Sequence, residues 1–376
     1  IQETALDSPH GIPLFIAMDQ EGGIAAPLHY MFGATPTPGN MALGASGRDE
    51  DTAAAYGAMG ADLRACGVNV NFAPVIDLLL EPANPDYTVR CFGADPARNA
   101  RLGASAVQAL QARGVIGCAK HFPGYIDYAE DTHSDLPYVN AAAESLPLDL
   151  WRSVIGAGAD MIMTHHVVVT AWDRDSPVTL SRAAITGVLR EQLGHEGLVI
   201  TDSMGMGALK QAAPDAGEAT VRAVDAGCDI ILQVARDFRE LRERVEAVAG
   251  AVRAGQLTEA RIDESVRRIL RAKERLGLFS SGALPDPDAV ARQLRSEEAV
   301  EANRRAALNG VVVVRDEVGL LPLGADDSRR VLVICAPATI VRAGKGGDAI
   351  PSGYTLDHFI RQRLPEARVV HLDPTA

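Results

Sequence analysis

The amino-acid sequence predicts an α/β protein, a (β/α)8 barrel of the TIM type followed by the start of an α/β sandwich domain. Short apolar segments alternate with amphipathic ones from Ile12 to about Leu278, which indicates repeated βα units and a parallel sheet. Polar residues collect where the apolar segments end, as at the active-site rim of a barrel. No GxGxxG turn follows a predicted strand, which disfavours an open nucleotide-binding sheet.

The predicted strands are short, apolar and often β-branched, as strands covered on both faces should be. They span residues 12–19, 68–77, 115–122, 161–167, 197–204 and 228–234. The segments between them have helical periodicity, and several begin after Asp, Ser or Pro and end at Gly. Because a barrel of this type has eight strands, we expect that the chain begins after its first βα unit and that one strand is irregular.

Three regions are predicted along the chain. Residues 1–280 form the barrel, and residues 281–307 form a linker that contains GALPDPDA and a helix. Residues 308–376 begin the second α/β domain, with strands predicted in the valine run 311–314, in RRVLVICAP and in ARVVHLD. The Gly-rich stretch GKGGDAIPSG lacks a strand–turn–helix context and is predicted to be a loop rather than a phosphate site.

Composition limits the classes of partner. The chain has 376 residues, 47% of them hydrophobic, and a net charge of −13, which disfavours nucleic acid and anionic membranes. No apolar run approaches the roughly 18 residues of a membrane span, and no signal peptide is visible. The five cysteines are scattered without a CxxC pair, so we expect buried free thiols and no structural zinc. Scattered thiols favour the cytoplasm, but the chain starts without Met, so export stays open.

Several candidate site residues end apolar segments and would share one rim: Asp19, Asp77, Lys120, His121, His166 and Asp202. Asp202 follows GLVIT and is either a helix N-cap or a carboxylate nucleophile. Asp19 closes a strand within DQEGG, whose glycines allow a close approach to a ligand; a polar turn is the alternative. Lys120 and His121 are adjacent and point to opposite sides of a regular strand, so that strand must twist or bulge if both serve one site.

The loop KHFPGYIDYAEDTHSDLP carries a second candidate group. Asp131 lies two residues before His133, so its carboxylate could fix one ring nitrogen and leave the other for proton transfer. A solvated polar loop is the alternative, and a metal site made by His121, His133 and Asp131 is a second one, although the spacing matches no standard zinc signature. Arg90, between apolar neighbours, offers a planar fork of donors for hydroxyl or carboxylate groups.

The motifs DQEGG, GVNVNFAPVIDL, RCFG, KHFPG…DTHSDLP, MTHH and GLVITDSMGMGAL together resemble family 3 glycoside hydrolases, in particular their bacterial β-N-acetylhexosaminidase branch. The resemblance spans about residues 12–280. It implies that Asp202 is the nucleophile of a retaining mechanism and that His133, paired with Asp131, is the general acid/base. It also implies that substrate is held by Asp19, Arg90, Lys120, His121 and His166, with no cofactor or metal and a small carbohydrate as partner.

Three departures from the family pattern concern the surroundings of the site. Ile24 replaces the arginine that usually follows DQEGG, and Pro27 aligns with a further substrate-binding arginine. The segment Tyr125–Tyr128 replaces the usual middle of the acid/base loop, and its tyrosines either stack on a sugar or pack the loop. The resemblance as a whole leads us to expect a retaining exo-β-N-acetylglucosaminidase. A phosphorylase is one alternative, and the departures raise a non-hydrolytic member of the same scaffold as another. The sequence does not predict the oligomeric state.

Overall fold

The structure is a computed structural model and describes residues 1–234, 237–280, 285, 287–319, 332–335 and 368–371. Its strands are β1 Ala17–Met18, β2 Val70–Asn71, β3 Leu78–Leu79, β4 Ile116–Phe122, β5 Tyr125–Ile126, β6 Tyr138–Val139, β7 Met161–Thr164, β8 Val168–Val169, β9 Leu198–Ile200, β10 Leu332–Cys335 and β11 Arg368–His371. Its helices are α1 Gln2–Leu6, α2 Pro27–Phe32, α3 Asn40–Ser46, α4 Asp49–Ala65, α5 Pro96–Gln111, α6 Leu148–Gly156, α7 Gly207–Ala212, α8 Ala216–Ala226, α9 Phe238–Arg253, α10 Glu259–Arg275, α11 Pro287–Gln293 and α12 Glu297–Asn309. Ala183–Gln192 is π-helical.

The central sheet is parallel and has the order β1-β2-β4-β7-β9. A parallel bridge between Ile200 and Ile230 adds the sixth predicted strand segment at its edge. Helices connect consecutive strands, as parallel pairing requires. The predicted α/β class with a parallel sheet is therefore confirmed, and each of the six predicted segments contributes to this sheet, although several are shorter than predicted.

Alternate residues of the strands face two different apolar layers. One layer contains Val70, Ile116, Met161 and Leu198 from four neighbouring strands. Residues one position away, such as Val199, belong to a second layer that packs under the surrounding helices. Since successive side chains of a strand point to opposite faces, each strand is covered on both sides, which explains its nearly continuous apolar sequence.

Helix starts follow the predicted signals. Asp95, Asp215, Thr258 and Ser296 each accept a backbone N–H in the first turn of the helix that follows, and Pro96 occupies the first position of α5. A side chain that accepts such a hydrogen bond satisfies an N–H group that has no partner within the helix. These caps fix where the helices begin and therefore how long the loops at the sheet's edge can be.

Beyond residue 280, α12 packs against the first part of the chain: Asn309 donates to the carboxylate of Asp51, the N–H of Arg295 donates to Asp62, and Ala306 is fully buried. The predicted strands in RRVLVICAP and ARVVHLD are confirmed as β10 and β11, which pair in parallel. The predicted strand in residues 311–314 is wrong, because these valines are exposed and form no ladder. The stretch GKGGDAIPSG lies outside the described residues.

Candidate active site

Asp202 lies two residues after β9, at the C-terminal edge of the sheet. Its Oδ1 accepts the N–H of Ser203 at 2.6 Å, and its Oδ2 lies 3.9 Å from Nε2 of His121. The side chain is 16% exposed and faces a cavity. Burial alone would raise its pKa, but the neighbouring imidazoles of His121 and His166 and the Ser203 N–H lower it to about 2. The carboxylate is therefore ionised at neutral pH. It caps no helix, because α7 begins later, at Gly207.

Lys120 and His121 end β4 and both face this cavity. The register of β4 against β7 shifts between Ala119 and Phe122, as expected for a strand that presents two successive side chains to one site. The peptide bond between Lys120 and His121 is cis. Asp77, fully buried, accepts the His121 N–H at 3.0 Å and contacts Nδ1 of the ring at 2.8 Å. Asp77 therefore fixes the imidazole, so that Nε2 points towards Asp202.

A row of alternating charges lines one wall of the cavity. Glu21 is buried and contacts both Nε and Nη2 of Arg90, at 2.9 and 3.0 Å, and Nζ of Lys120 at 2.7 Å. Lys120 also contacts Asp19 at 2.7 Å, while the Asp19 side chain is 61% exposed. Burial opposes the charge of Glu21, but the two cations hold its pKa well below the usual range. Asp19, Arg90 and Lys120 were predicted from the sequence as site residues, whereas Glu21 was not, although its place within DQEGG could have indicated it.

The predicted dyad forms at the mouth of the cavity. Oδ1 of Asp131 lies 2.7 Å from Nδ1 of His133 and also accepts its N–H at 2.9 Å. The His133 side chain is 54% exposed and lines the cavity together with Asp202. With Nδ1 held by the carboxylate, Nε2 is the nitrogen that remains for proton exchange with a ligand.

His166 lies behind Asp202 rather than at the cavity surface. It is fully buried, with Nε2 3.0 Å from the Ser203 carbonyl and Nδ1 2.8 Å from Oγ1 of Thr179. Both ring nitrogens are thus occupied by protein groups, and His166 is absent from the described lining of the cavity. From this position His166 supports the segment after β9 through the Ser203 carbonyl, whereas direct contact with a substrate was predicted from the sequence.

A buried aromatic group under the cavity was missed by sequence reasoning. Nε2 of His165 lies 2.8 Å from the hydroxyl of Tyr87, and the Tyr128 hydroxyl is 3.4 Å from the same ring. Burial, together with the nearby imidazole of His121, lowers the pKa of His165 to about 3. Tyr128 is buried in this group, and Tyr125 packs against the second apolar layer, the one under the surrounding helices. The tyrosines of the altered loop therefore pack it and do not form a stacking platform.

The cavity that these residues surround measures about 700 Å3. A neighbouring cavity of about 1010 Å3 shares His133 and Asp202 with it. Ile24 lines the first cavity, and Pro27 starts α2, so neither position supplies the cation that the family pattern places there. The volume of the first cavity lies in the range of about 300–1,000 Å3 that is typical of small-molecule sites.

Among the described residues, one group of acidic and imidazole side chains has ligand atoms close enough to share a metal ion: Asp86, Asp131 and His133. This group differs from the alternative considered from sequence, because His121 is held by Asp77 instead. Asp131 already contacts His133, and Asp86 forms an ion pair with Arg90 at 3.0 Å. These protein contacts account for the grouping, and it matches no standard zinc arrangement.

The described cysteines do not line the cavity, although the charges of Arg90 and Lys120 act on the thiols of Cys91 and Cys118. Cys91, Cys118 and Cys228 are buried free thiols, and Cys66 is a half-buried one, as expected. Burial raises the pKa of the Cys228 thiol to about 12.

In the part of the chain that the structure describes, no helix has both the length and the apolar character needed to cross a membrane.

Comparisons with known proteins agree with the motifs. Residues 1–272 match the model of the glycosyl hydrolase family 3 N-terminal domain. A beta-N-acetylglucosaminidase/beta-glucosidase of Cellulomonas fimi is 33% identical over 348 residues, covering 88% of this chain and 59% of the relative. Beta-hexosaminidase A of Pseudoalteromonas piscicida is 30% identical over 363 residues, covering 89% and 60%.

A solved structure shows the same fold. A family 3 beta-N-acetylglucosaminidase from Paenibacillus sp. str. FPU-7 superposes with a TM-score of 0.89 at 35% identity, over 99% of this chain and 69% of that one. The present chain thus spans about 60% of the length of the first two relatives. Because the model of the family 3 N-terminal domain matches residues 1–272, in agreement with the sequence motifs and the parallel sheet, the chain belongs to glycosyl hydrolase family 3.

Proposed function

We propose that this chain carries the catalytic site of a retaining exo-β-N-acetylglucosaminidase. The observation that supports this most strongly is that an ionised, largely buried carboxylate, Asp202, and an exposed His133–Asp131 dyad line one cavity. Retaining hydrolysis needs these two elements, a nucleophile and a separate proton carrier. The names of the family 3 relatives, which include hexosaminidases, support the choice of sugar.

In the first step, Asp202 attacks the anomeric carbon while His133, protonated, donates its Nε2 proton to the departing glycosidic oxygen. The bond to the leaving group breaks as a covalent bond to the carboxylate forms, through an oxocarbenium-like transition state. Asp131 accepts a hydrogen bond from Nδ1 and stabilises the imidazolium. In the second step, His133 removes a proton from water, which attacks the same carbon and releases Asp202.

Asp19, Arg90, Lys120 and His121 bind the hydroxyl groups of the terminal sugar in this proposal. Their donors and acceptors face the cavity, and Glu21 holds the two cations in place through its ion pairs. His166 acts indirectly, because it holds the Ser203 carbonyl and thereby the backbone that carries Asp202. Fixed positions of this kind favour reaction because little reorganisation is needed when charge develops.

We also propose that the parallel sheet is closed into a barrel. The first apolar layer takes residues from every segment of the sheet, and Phe15 near its start lies in the same cluster as Ile230 and Leu232 near its end. Ile269 and Ala272 of α10 also belong to that cluster. A single interior shared by the first and last strands is typical of a barrel. A crystal structure with the segment around Ile230 remote from β1 would contradict closure.

The domain limits remain a proposal with the bounds 1–280, 281–307 and 308–376. The parallel pair of β10 and β11 supports an α/β arrangement in the last part. Residues 311–315, 317 and 318 are exposed and lie between α12 and that pair in the sequence. Limited proteolysis should therefore cut first within this stretch, and a first cut inside residues 1–280 would contradict the limits.

The experiment that tests the activity is release of nitrophenol from its N-acetyl-β-D-glucosaminide, beside the corresponding glucoside, with and without phosphate. Turnover of the N-acetyl sugar supports the proposal. Formation of a sugar 1-phosphate would instead identify a phosphorylase, which an imidazole acid/base permits because it repels an incoming anion less than a carboxylate does. Binding of N-acetylglucosamine without turnover of either substrate, by the folded protein, would identify a non-hydrolytic scaffold.

A further inference from the structure

One buried amide joins two loops of the active site. Asn84 lies between β3 and the turn that carries Arg90, and its side chain is fully buried. Its Nδ2 donates to the carbonyl oxygens of Tyr128 at 2.9 Å and Glu130 at 3.3 Å. Its Oδ1 accepts the N–H groups of Asp86 at 3.0 Å and Tyr87 at 3.2 Å. Both donor hydrogens and both lone pairs of one amide are therefore used.

The groups that this amide joins belong to the two halves of the site. Glu130 immediately precedes Asp131, so one side of the contact fixes the chain just before the dyad. Asp86 lies on the other side and pairs with Arg90 at 3.0 Å, which in turn binds Glu21. The start of the loop with the dyad is thus tied to the same backbone that presents the sugar-binding arginine.

The other end of the dyad is anchored to α7. The N–H groups of Gly207 and Ala208 donate to the carbonyl oxygens of His133 at 2.9 Å and Thr132 at 3.2 Å. A Cβ at Gly207 would lie 2.6 Å from the His133 carbonyl oxygen, so only glycine permits this approach. The dyad therefore sits between two anchors, Asn84 before it and the start of α7 beside it.

We propose that Asn84 is a positioning residue for proton transfer, which sets the place of the His133–Asp131 dyad relative to the sugar. The inference rests on the proposed role of His133 as the acid/base. A general acid acts only within hydrogen-bond reach of the oxygen that it protonates. His133 is exposed and lies in a loop, so the fixed start of that loop decides whether its Nε2 reaches the leaving oxygen.

The test uses two N-acetyl-β-D-glucosaminides, one with a phenyl and one with a dinitrophenyl leaving group. Phenoxide is a basic leaving group and departs slowly unless an acid protonates it, whereas the weakly basic dinitrophenolate departs readily without protonation. Asn84→Asp removes both donated hydrogen bonds and keeps the size of the side chain. We expect its loss of kcat/KM to be at least about tenfold larger on the phenyl glycoside, since general acid catalysis contributes about 10²–10⁴-fold.

The matched control is Asn69→Asp at the opposite end of the strands. Asn69 is also buried, and its amide both accepts and donates: it accepts from the N–H of Ile16 at 2.8 Å and donates to the carbonyl of Leu14 at 3.2 Å. Any loss of kcat/KM in Asn69→Asp should be equal on the two glycosides. If Asn84→Asp does not fold, Asn84→Ser removes the same donors without burying a carboxyl group. Gly207→Ala, which displaces the dyad from the other side, should show the same dependence on the leaving group.

His133→Ala separates the two levels of inference. If it shows no dependence on the leaving group, the acid/base assignment itself fails. If it shows that dependence but the Asn84 variants lose activity equally on both glycosides, or lose none, then the positioning role of Asn84 is overturned while the proposed function stands.

Discussion

Two networks of buried charge occupy opposite ends of the sheet. At the N-terminal end, the side chain of Asp229 is fully buried and contacts the guanidinium groups of Arg268, at 3.0 Å, and Arg190. Ser265 and the N–H of Val199 also donate to it. At the C-terminal end, Glu21 is bound by Arg90 and Lys120 in a comparable way. Each network places a carboxylate among cations in a region of low dielectric, where an unpaired charge would be costly.

The two networks differ in where they end. The contacts of Asp229 are all with the protein, and they tie the start of its strand to α10 and to the π-helical segment. The network of Glu21 ends at the cavity, where the Asp19 side chain is 61% exposed and contacts Lys120 through Oδ1. The closed network serves stability, and the open one leaves polar groups for a ligand. This difference in connection, and not the residue types, separates a structural cluster from a candidate binding site.

The largest effect is expected at the nucleophile. Asp202→Ala should lower kcat by about four orders of magnitude or more, because loss of a reacting group removes the covalent route. The variant should still fold, but its free energy of unfolding at neutral pH should fall, since His121, His166 and the Ser203 N–H stabilise the ionised carboxylate in the folded protein. Steady-state kinetics and urea unfolding measure both quantities. Retention of even a hundredth of the activity, after exclusion of contaminating enzyme, would refute the assignment.

Glu21→Gln tests the open network. It leaves Arg90 and Lys120 without their shared anion, so we expect kcat/KM to fall by about a hundredfold through misplacement of the sugar-binding groups. Stability should fall as well, because two buried cations lose a partner. Unchanged kcat/KM in the folded variant would show that the row of charges does not hold substrate.

Asp229→Asn is the matched change in the closed network. Removal of one partner from a buried ion pair should lower the free energy of unfolding by about 3–5 kcal/mol. Below its unfolding temperature, the variant should keep kcat/KM within about twofold, because Asp229 lies at the far end of the sheet. A selective loss of activity without loss of stability would reverse the roles assigned to the two networks.

The last effect concerns the pH dependence of stability. Burial lowers the pKa of His165 to about 3, from 6.5, so the folded protein does not bind the proton that the unfolded chain takes up. Above pH 6.5, His165 is neutral in both states and does not change the free energy of unfolding. As the pH falls from 6.5 towards 3, only the unfolded chain binds the proton, so the free energy of unfolding decreases by about 1.4 kcal/mol per pH unit. His165→Gln should reduce this slope. Urea unfolding between pH 4 and 7 measures the slope; equal slopes in the wild type and His165→Gln would contradict the account.

Much of the site could be predicted because strand ends and loop motifs carry it. Asp202, Lys120 and His121 follow apolar runs, and parallel strands bring their carboxyl ends to one edge. The dyad of Asp131 and His133 is local, so its contact follows from a spacing of two residues. Roles within the site were less predictable, as His166 shows, because burial behind another segment leaves no mark in the local sequence.

The sequence by itself determined the α/β class, the parallel order of βα units and the rim on which the charged residues meet, because these follow from periodicity and from residues close together along the chain. Only the tertiary structure decided that Glu21 joins Arg90 to Lys120, that Asp77 orients His121 and that Asn84 holds the loop of the dyad. Each of these contacts joins residues at least 44 positions apart, with the closest at Asn84 and Tyr128 and at Asp77 and His121. Such pairings depend on how the strands and loops pack together, and no local pattern in the chain specifies them.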